Sequence, residues 1–253
     1  MNIIKSGHDL LQACHELKSK IVLVPTMGAL HEGHIALGKL ARLKAENVIY
    51  SIFVNPTQFG AGEDFDKYPR DIQADKAKLK GIADYIYTPN VEDIYPEGVK
   101  ITHRAGASAQ GLCGGSRPGH FDGVVTVVAK LFAHTLPDIA IFGEKDYQQL
   151  MVIKEMGFRN AKTGELIEII GAPIIREKSG LAMSSRNAYL STEERKIAPS
   201  LYKIISSTSN QQLATSNLEA AGFRVDYVEQ RWNRILAAVW LGKTRLIDNV
   251  AIS

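Results

Sequence analysis

The sequence predicts an α/β fold with a doubly wound parallel sheet, followed by a second, smaller α+β unit. Over residues 1–172, short apolar runs alternate with amphipathic stretches, and this β-α-β rhythm is typical of a parallel sheet with helices on both faces. The rhythm stops after Gly-Ala-Pro at 171–173, where strand-like runs follow one another. We therefore expect a Rossmann-like domain at 1–172 and a small C-terminal domain at 173–253.

The individual elements follow from local patterns. Apolar runs predict strands at 21–24, 48–54, 83–88, 138–142 and 166–170, and amphipathic stretches predict helices at 35–45, 71–80, 124–136 and 147–156. In the C-terminal part, Ser191 and Glu194 form a capping box that opens a helix to about residue 206. The polar stretch 207–217 is typical of a loop or weak helix, and strands are expected at 223–228 and 235–240.

Composition limits the classes of function. The 253 residues carry 30 basic and 27 acidic side chains, a balance too even to predict a nucleic-acid-binding surface. The longest apolar runs fall far short of the roughly 20 residues that span a bilayer, and Lys5 interrupts any signal peptide. Cys14 and Cys113 lack zinc-type or redox-type spacing, so we expect a core residue and a loop thiol. We expect a cytoplasmic protein with no membrane or nucleic-acid partner.

The first candidate site is the loop Pro-Thr-Met-Gly-Ala-Leu-His-Glu-Gly-His at 25–34, directly after a predicted strand. Open parallel sheets bind ligands in such loops. His31 and His34 lie three residues apart at the start of a helix, so their rings point to the same side. The helix dipole, the free N–H groups and the flexible Gly28 and Gly33 suit a triphosphate.

A zinc site and a purely structural role are the alternatives for this histidine pair. The metalloprotease pattern needs histidines four residues apart, and no third ligand stands at a recognisable spacing. A single histidine at a helix start is more often a cap or a surface residue. The pair, flanked by glycines and placed after a strand, favours ligand binding instead.

Two further loops also precede predicted helices. Asn55 and Gln58 follow the strand at 48–54, and neutral amides can hold a carboxylate without cancelling its nucleophilicity. The segment 111–123 holds five glycines together with arginine, histidine and aspartate. It predicts a mobile loop that closes on a ligand. The alternatives are an ordinary turn at the first loop and a structureless linker at the second.

The last two loops carry cations and hydroxyl groups. Lys145 can neutralise phosphate, and Gln149 faces the same way one turn later. The segment 183–187, Met-Ser-Ser-Arg-Asn, also suits phosphate. A serine nucleophile is not expected, because no G-x-S-x-G elbow occurs. The P-loop-like residues 241–244 lack the upstream glycine, since Ala237 stands there.

Together these loops resemble the pantothenate synthetases, which belong to the nucleotidyltransferase superfamily with a HIGH-type motif. The likeness rests on the motifs at 25–34, 53–60, 68–70, 111–123, 142–149 and 183–187, and continues through 225–228 and 241–249. The motifs occur in order over nearly the whole chain. The resemblance therefore implies a nucleotide- and pantoate-binding first domain and a C-terminal lid.

The family joins pantoate to β-alanine through a pantoyl adenylate, using ATP and releasing AMP and pyrophosphate. The resemblance implies ATP as co-substrate, Mg²⁺ as cofactor, small molecules as partners and a homodimer. It assigns His34 as a proton donor. By motif, the catalytic residues are His31, His34, Lys145, Ser184, Ser185 and Arg186.

The resemblance also assigns binding residues. The ATP-binding set is Met27, Gly28, Ala29, Leu30, His31, Glu32, Gly33, His34, Gly143, Glu144, Lys145, Asp146, Ile175, Met183, Ser184, Ser185 and Arg186. Pantoate and β-alanine are assigned to Gln58, Gln149 and Asn55, and magnesium to Asp75.

Two departures from the family pattern stand out. Ala74 precedes Asp75 where relatives often carry a second acid, which leaves magnesium mainly to the ATP phosphates. The C-terminal part is also shortened, which affects lid closure more than the reaction class. Two alternative functions stay open: another HIGH-type adenylyl or cytidylyl transferase, related to tRNA synthetases, and a catalytically silent nucleotide-binding module.

Overall fold

A computed structural model describes residues 1–60 and 62–252 of the chain. Strands and helices alternate through its first part. In chain order they are β1 (Asn2–Ile4), α1 (Gly7–Glu16), β2 (Ile21–Thr26), α2 (Glu32–Lys44), β3 (Asn47–Ile52), α3 (Ile72–Lys78), β4 (Tyr85–Tyr87), α4 (Val91–Ile94), α5 (Leu112–Ser116), α6 (His120–Thr135), β5 (Ile139–Gly143), α7 (Tyr147–Glu155) and β6 (Glu168–Ala172). Short 3₁₀ helices at Pro56–Gln58, Ala107–Ala109 and Glu144–Asp146 lie in the connections.

Strands β1 to β6 form one parallel sheet in the order β1-β4-β3-β2-β5-β6. From the neighbours β2 and β5 the order runs outward to β3 and β4 on one side and to β6 on the other, with β1 added beyond β4, so the topology switches between β2 and β5. Apolar side chains of α1, α6 and α7 cover one face, and those of α2 cover the other. The Rossmann-like doubly wound sheet is thus confirmed. Ligands of such sheets bind outside the carboxyl ends of the strands at the switch point.

The rest of the chain forms the smaller α+β unit. After a 3₁₀ helix at Ser185–Tyr189 it contains α8 (Thr192–Ile197), α9 (Ser200–Ser207), α10 (Gln211–Ala220), β7 (Arg224–Arg231), β8 (Arg234–Leu241) and β9 (Thr244–Ala251). The three strands form an antiparallel sheet in the order β7-β8-β9. Leu201 and Leu218 of the helices pack with Val239 of the sheet. The predicted second unit is confirmed, and its boundary at residue 173 stays a prediction.

The structure corrects one prediction in this unit and adds one strand to it. The helix expected from Ser191 to 206 is interrupted between α8 and α9, because Pro199 has no N–H group and its ring crowds the preceding turn. Of the loop and the weak helix expected over 207–217, the structure has a helix from Gln211, where Asn210 caps α10. The P-loop-like residues 241–244 form the turn between β8 and β9, and β9 was not among the predicted strands.

The glycine-rich segment 111–123 is also different from its prediction. It forms α5 and the start of α6, so the expected loop is wrong and the helix expected at 124 begins at His120. The backbone N–H of Cys113 donates to Gln148 Oε1 (2.9 Å), which ties α5 to α7. Cys113 is therefore a buried helical residue and not a loop thiol, whereas Cys14 lies in the core as expected.

The beginning of the chain contains two unpredicted elements. Strand β1 pairs with β4 at the edge of the sheet, and α1 packs against α6.

Within residues 1–60 and 62–252, no helix combines the length and apolar character needed to cross a membrane.

Candidate active site

The loop between β2 and α2 is held in an unusual backbone shape. Gly28 has φ +86° and Ala29 φ +50°, both in the left-handed region. The buried Asp75 of α3 accepts the backbone N–H groups of Ala29 (3.0 Å) and Leu30 (2.8 Å). From the same helix, Lys78 Nζ donates to the carbonyl oxygen of Leu30 (2.6 Å). Helix α3 therefore fixes this loop.

The two histidines follow at the start of α2 with their rings 4.1 Å apart. His31 Nδ1 accepts the N–H of Gly33 (3.1 Å), and His34 Nδ1 accepts the N–H of His31 (3.2 Å). Because each Nδ1 is an acceptor, each neutral ring carries its proton on Nε2.

Burial, together with the charge of Lys145, lowers the pKa of His31 to about 4. Burial likewise lowers the pKa of His34 to about 3, with contributions from His31 and Lys145. Both rings are thus neutral at pH 7. They can donate hydrogen bonds through Nε2–H, but neither is a charged acid in the free protein.

Lys145 lies on the loop after β5, next to the histidine loop, because β2 and β5 are neighbours in the sheet. Its Nζ is 3.6 Å from Asp146 Oδ2. Lys145 and Gln149 line a cavity of about 890 Å³. The two histidines are not among its lining residues, but the charge of Lys145 reaches both of them.

Residues of the segment 175–186 form another side of this cavity. The N–H of Met183 donates to the carbonyl oxygen of Ile175 (2.9 Å), so these two predicted ATP-binding residues are neighbours. A Cβ atom on Gly33 would lie 3.7 Å from Met183 Cβ, which places this segment against the start of α2. Ser184 and Arg186 line the same cavity as Lys145.

Two ion pairs, neither predicted from the sequence, reach the segment after β3, one from the segment 175–186 and one from the glycine-rich segment 111–123. Arg186 donates to both carboxylate oxygens of Asp64 (2.9 and 2.7 Å), and Arg117 donates to both of Glu63 (2.7 and 2.6 Å). The Ser185 hydroxyl shares a hydrogen bond with Tyr68 (3.1 Å). No local pattern signals these pairs, because the chain separates Asp64 from Arg186 by 122 positions.

Asn55 has a different setting from the one expected of a substrate-binding residue. Its side chain is buried, and its nitrogen donates to Gln58 Oε1 (3.2 Å) and to the carbonyl oxygen of Gly123 (3.1 Å). Its oxygen accepts the N–H of Thr57 (3.3 Å) and the hydroxyl of Tyr95 (2.5 Å). The amide is fully used inside the protein, so we assign Asn55 to shaping the loop that carries Gln58.

Gln58 lies against the histidine loop, with its Nε2 2.8 Å from Met27 Sδ. Its backbone carbonyl accepts from Arg117 Nη2 (3.2 Å) and from His120 Nδ1 (2.7 Å). Burial, together with the charge of Arg117, lowers the pKa of His120 to about 4, so this ring is neutral at pH 7. The glycine-rich segment thus supports Gln58 through two side chains.

Asp75 does not fit a magnesium ligand. Both of its carboxylate oxygens accept backbone N–H groups, and burial raises the pKa of this carboxyl group. Over the described parts of the chain, no three His, Cys, Asp or Glu side chains converge as a metal-binding group. The Asp75 carboxylate therefore supports the histidine loop and is not a magnesium site.

Comparison with known proteins agrees with this geometry. The family model described as Pantoate-beta-alanine ligase matches residues 2–251. The chain belongs to the pantoate–beta-alanine ligase family. The pantothenate synthetase of Rhodospirillum rubrum is 48% identical over 263 residues, covering 92% of this chain and 91% of the relative. The pantothenate synthetase of Pseudomonas fluorescens is 45% identical over 284 residues, covering 100% of this chain and 98% of the relative.

Solved structures of the ligase family show the same fold. The pantothenate synthetase of Thermus thermophilus has a TM-score of 0.89 at 38% identity, covering 99% of both chains. The pantoate-beta-alanine ligase of Francisella tularensis, complexed with beta-gamma ATP and beta-alanine, has a TM-score of 0.90 at 40% identity, covering 99% of this chain and 97% of that one.

Proposed function

We propose that the protein joins pantoate to β-alanine through a pantoyl adenylate, consuming ATP and releasing AMP and pyrophosphate. The observation that carries the proposal is the meeting of three loops at one switch point of the sheet. These loops bring the histidine pair, Lys145 and the segment 183–186 together. The Francisella relative complexed with beta-gamma ATP and beta-alanine supports the choice of substrates.

In the first step, a carboxylate oxygen of pantoate attacks the α-phosphorus of ATP. The bond between the α-phosphorus and the bridging oxygen breaks, and pyrophosphate leaves with that electron pair. Because pyrophosphate is a stable anion, its departure requires no proton. This fits histidines whose lowered pKa keeps them neutral.

His31 and His34 act as Nε2–H donors to phosphate oxygens in this proposal, and Lys145 supplies a positive charge beside them. His34 is thus a hydrogen-bond donor and not the proton donor that the resemblance implies. Arg186 contributes through the rest of its guanidinium. That group has five N–H donors, of which Asp64 takes two.

Pantoate is placed between neutral amides, those of Gln58 and Gln149. An amide binds the carboxylate without the charge that would reduce its nucleophilicity. In the second step, the β-alanine amine gives up one proton and attacks the acyl carbon. The bond to AMP then breaks and the nitrogen loses a second proton, which leaves the amide. The homodimer expected from the resemblance stays a prediction.

The test is ATP–pyrophosphate exchange with labelled pyrophosphate, run without β-alanine. We expect exchange only when pantoate is present, and His34→Ala should lose at least about 10²-fold in rate while staying folded. His34→Gln is the matched control, because its amide N–H lies near the Nε2 position and should retain part of the rate.

Each remaining outcome contradicts the proposal in its own way. Exchange that depends on a different acid would indicate another transferase. ATP binding without exchange would indicate a silent nucleotide-binding module. A normal rate in His34→Ala would remove the histidine pair from the mechanism.

A further inference from the structure

Asn249, near the end of β9, joins the C-terminal sheet to the loop that carries Lys145. It is only 2% exposed. Its Nδ2 donates to the carbonyl oxygens of Glu144 (2.9 Å) and Lys145 (3.1 Å), and its Oδ1 accepts from Arg234 Nε. Because an arginine only donates, this contact fixes which end of the amide faces the loop. Both N–H groups of Asn249 are therefore directed at the loop.

Asn249 is itself held firmly. Its backbone N–H donates to Asp248 Oδ1 (2.8 Å), and the Asp248 carboxylate accepts two bonds from Arg176. The guanidinium of Arg176 lies 3.6 Å from the ring centre of Tyr202. A side chain supported in this way can hold a partner loop in one position.

The loop at Glu144–Asp146 is a single 3₁₀ turn. The Asn249 amide holds the carbonyl groups of Glu144 and Lys145, so both point towards the C-terminal sheet. The side chain of Lys145 lines the cavity shared with Ser184 and Arg186. The position of that cation thus depends on a residue from a different sheet.

We propose that Asn249 is a positioning residue for Lys145 in the adenylation step, so that the C-terminal sheet acts on the chemistry through this loop. The inference rests on the proposed function. It also gives a role to the motif at 241–249, for which the sequence alone predicts none. The C-terminal unit then contributes to the adenylation step as well as acting as a lid.

The variant Asn249→Asp tests this directly, because it keeps the side-chain shape but sets a carboxylate against two carbonyl oxygens. We expect pantoate-dependent exchange to fall by about 10-fold to 10²-fold. Transfer of chemically prepared pantoyl adenylate to β-alanine should stay close to the wild-type rate. If Asn249→Asp fails to fold, Asn249→Ser, which keeps one donor, should show a smaller loss of exchange alone. A circular dichroism melt checks the fold of each variant.

A double-mutant cycle with Lys145→Ala separates positioning from general destabilisation. We infer that Asn249 acts through Lys145. When Lys145 is already replaced by alanine, the additional change Asn249→Asp should therefore lower the exchange rate only slightly. Equal fold losses in both backgrounds, parallel losses in both half-reactions, or an unchanged rate in folded Asn249→Asp would each overturn the inference. A wild-type protein without any exchange would overturn the proposed function instead.

Discussion

The carboxylate of Asp75 holds the backbone of the loop between β2 and α2 through hydrogen bonds. It is buried in α3 and accepts two N–H groups from a loop whose Ala29 has φ +50°. A non-glycine residue in that conformation is strained and needs support from its surroundings. The position that the family resemblance assigned to magnesium is therefore a brace for the histidine loop.

We predict that Asp75→Asn destabilises the protein by about 1–3 kcal/mol, because the amide oxygen can accept only one of the two N–H groups and the amide nitrogen cannot accept the other. The exchange rate should fall as well, since the histidine loop loses its support. Urea unfolding and the exchange assay measure the two effects.

Asp71→Asn is the matched control for Asp75→Asn. Asp71 caps the same helix, and asparagine caps equally well, so this variant should behave like wild type. A direct magnesium ligand would behave differently from a brace. Asp75→Asn would then unfold like wild type and need only a higher magnesium concentration.

The sequence was sufficient to predict side chains whose partners are close in the chain. His31 and His34 are three residues apart, and their placement at a helix start was readable from the flanking glycines and the preceding strand. The pairs Asp64–Arg186 and Asn249–Lys145 were not readable, because only the folded chain brings such distant positions together.

At the scale of elements, helix α6 packs unusually closely on the loop after β3. A Cβ atom on Gly123 would lie 2.3 Å from the carbonyl oxygen of Thr57, which is backbone and cannot rotate away. The carbonyl of Gly123 also accepts from Asn55. The absence of a side chain at this one position therefore sets the distance between α6 and the Gln58 loop.

Gly123→Ala should destabilise the protein by about 1–3 kcal/mol and raise KM for pantoate, because the Gln58 loop must move. Thermal unfolding and steady-state kinetics measure these effects. The matched control is Gly115→Ala in α5, where an added Cβ meets no atom within 4 Å. A normal KM in Gly123→Ala would show that the loop position does not matter for pantoate.

The elements that the sequence predicted well are those with apolar runs in the central sheet, such as β2 and β5. These strands are buried on both faces, so their sequences are continuously apolar. The predictions failed where tertiary contacts decide the structure. Strand β1 has only three residues and depends on β4, and α5 depends on the bond from Cys113 to Gln148.

At the scale of the whole molecule, several histidines are buried in their neutral form. The free energy of unfolding therefore depends on pH. Burial lowers the pKa of His31, His120 and His134 to about 4 and that of His34 to about 3. Unfolded histidines titrate near 6.5. Below pH 6.5 the unfolded chain therefore takes up protons that the folded chain does not.

We predict that the free energy of unfolding falls by about 3–7 kcal/mol between pH 7 and pH 5, because each of the four rings contributes up to about 2 kcal/mol before its partial exposure is allowed for. Urea unfolding at a series of pH values measures it. His134→Gln, which lies outside the proposed site and contacts Tyr87, should make the decline shallower without changing exchange. A stability that is constant over this range would contradict the buried, neutral state of the histidines.

The neighbouring strands at the switch point also have a consequence for how the chain folds. The N–H of Ile21 at the start of β2 is bonded to Asp138, 117 positions away, just before β5. Closing so long a stretch of chain is entropically costly and slows folding. Nucleotide affinity should therefore arise late during refolding, so that ATP can serve as a probe of the moment when the central strands meet.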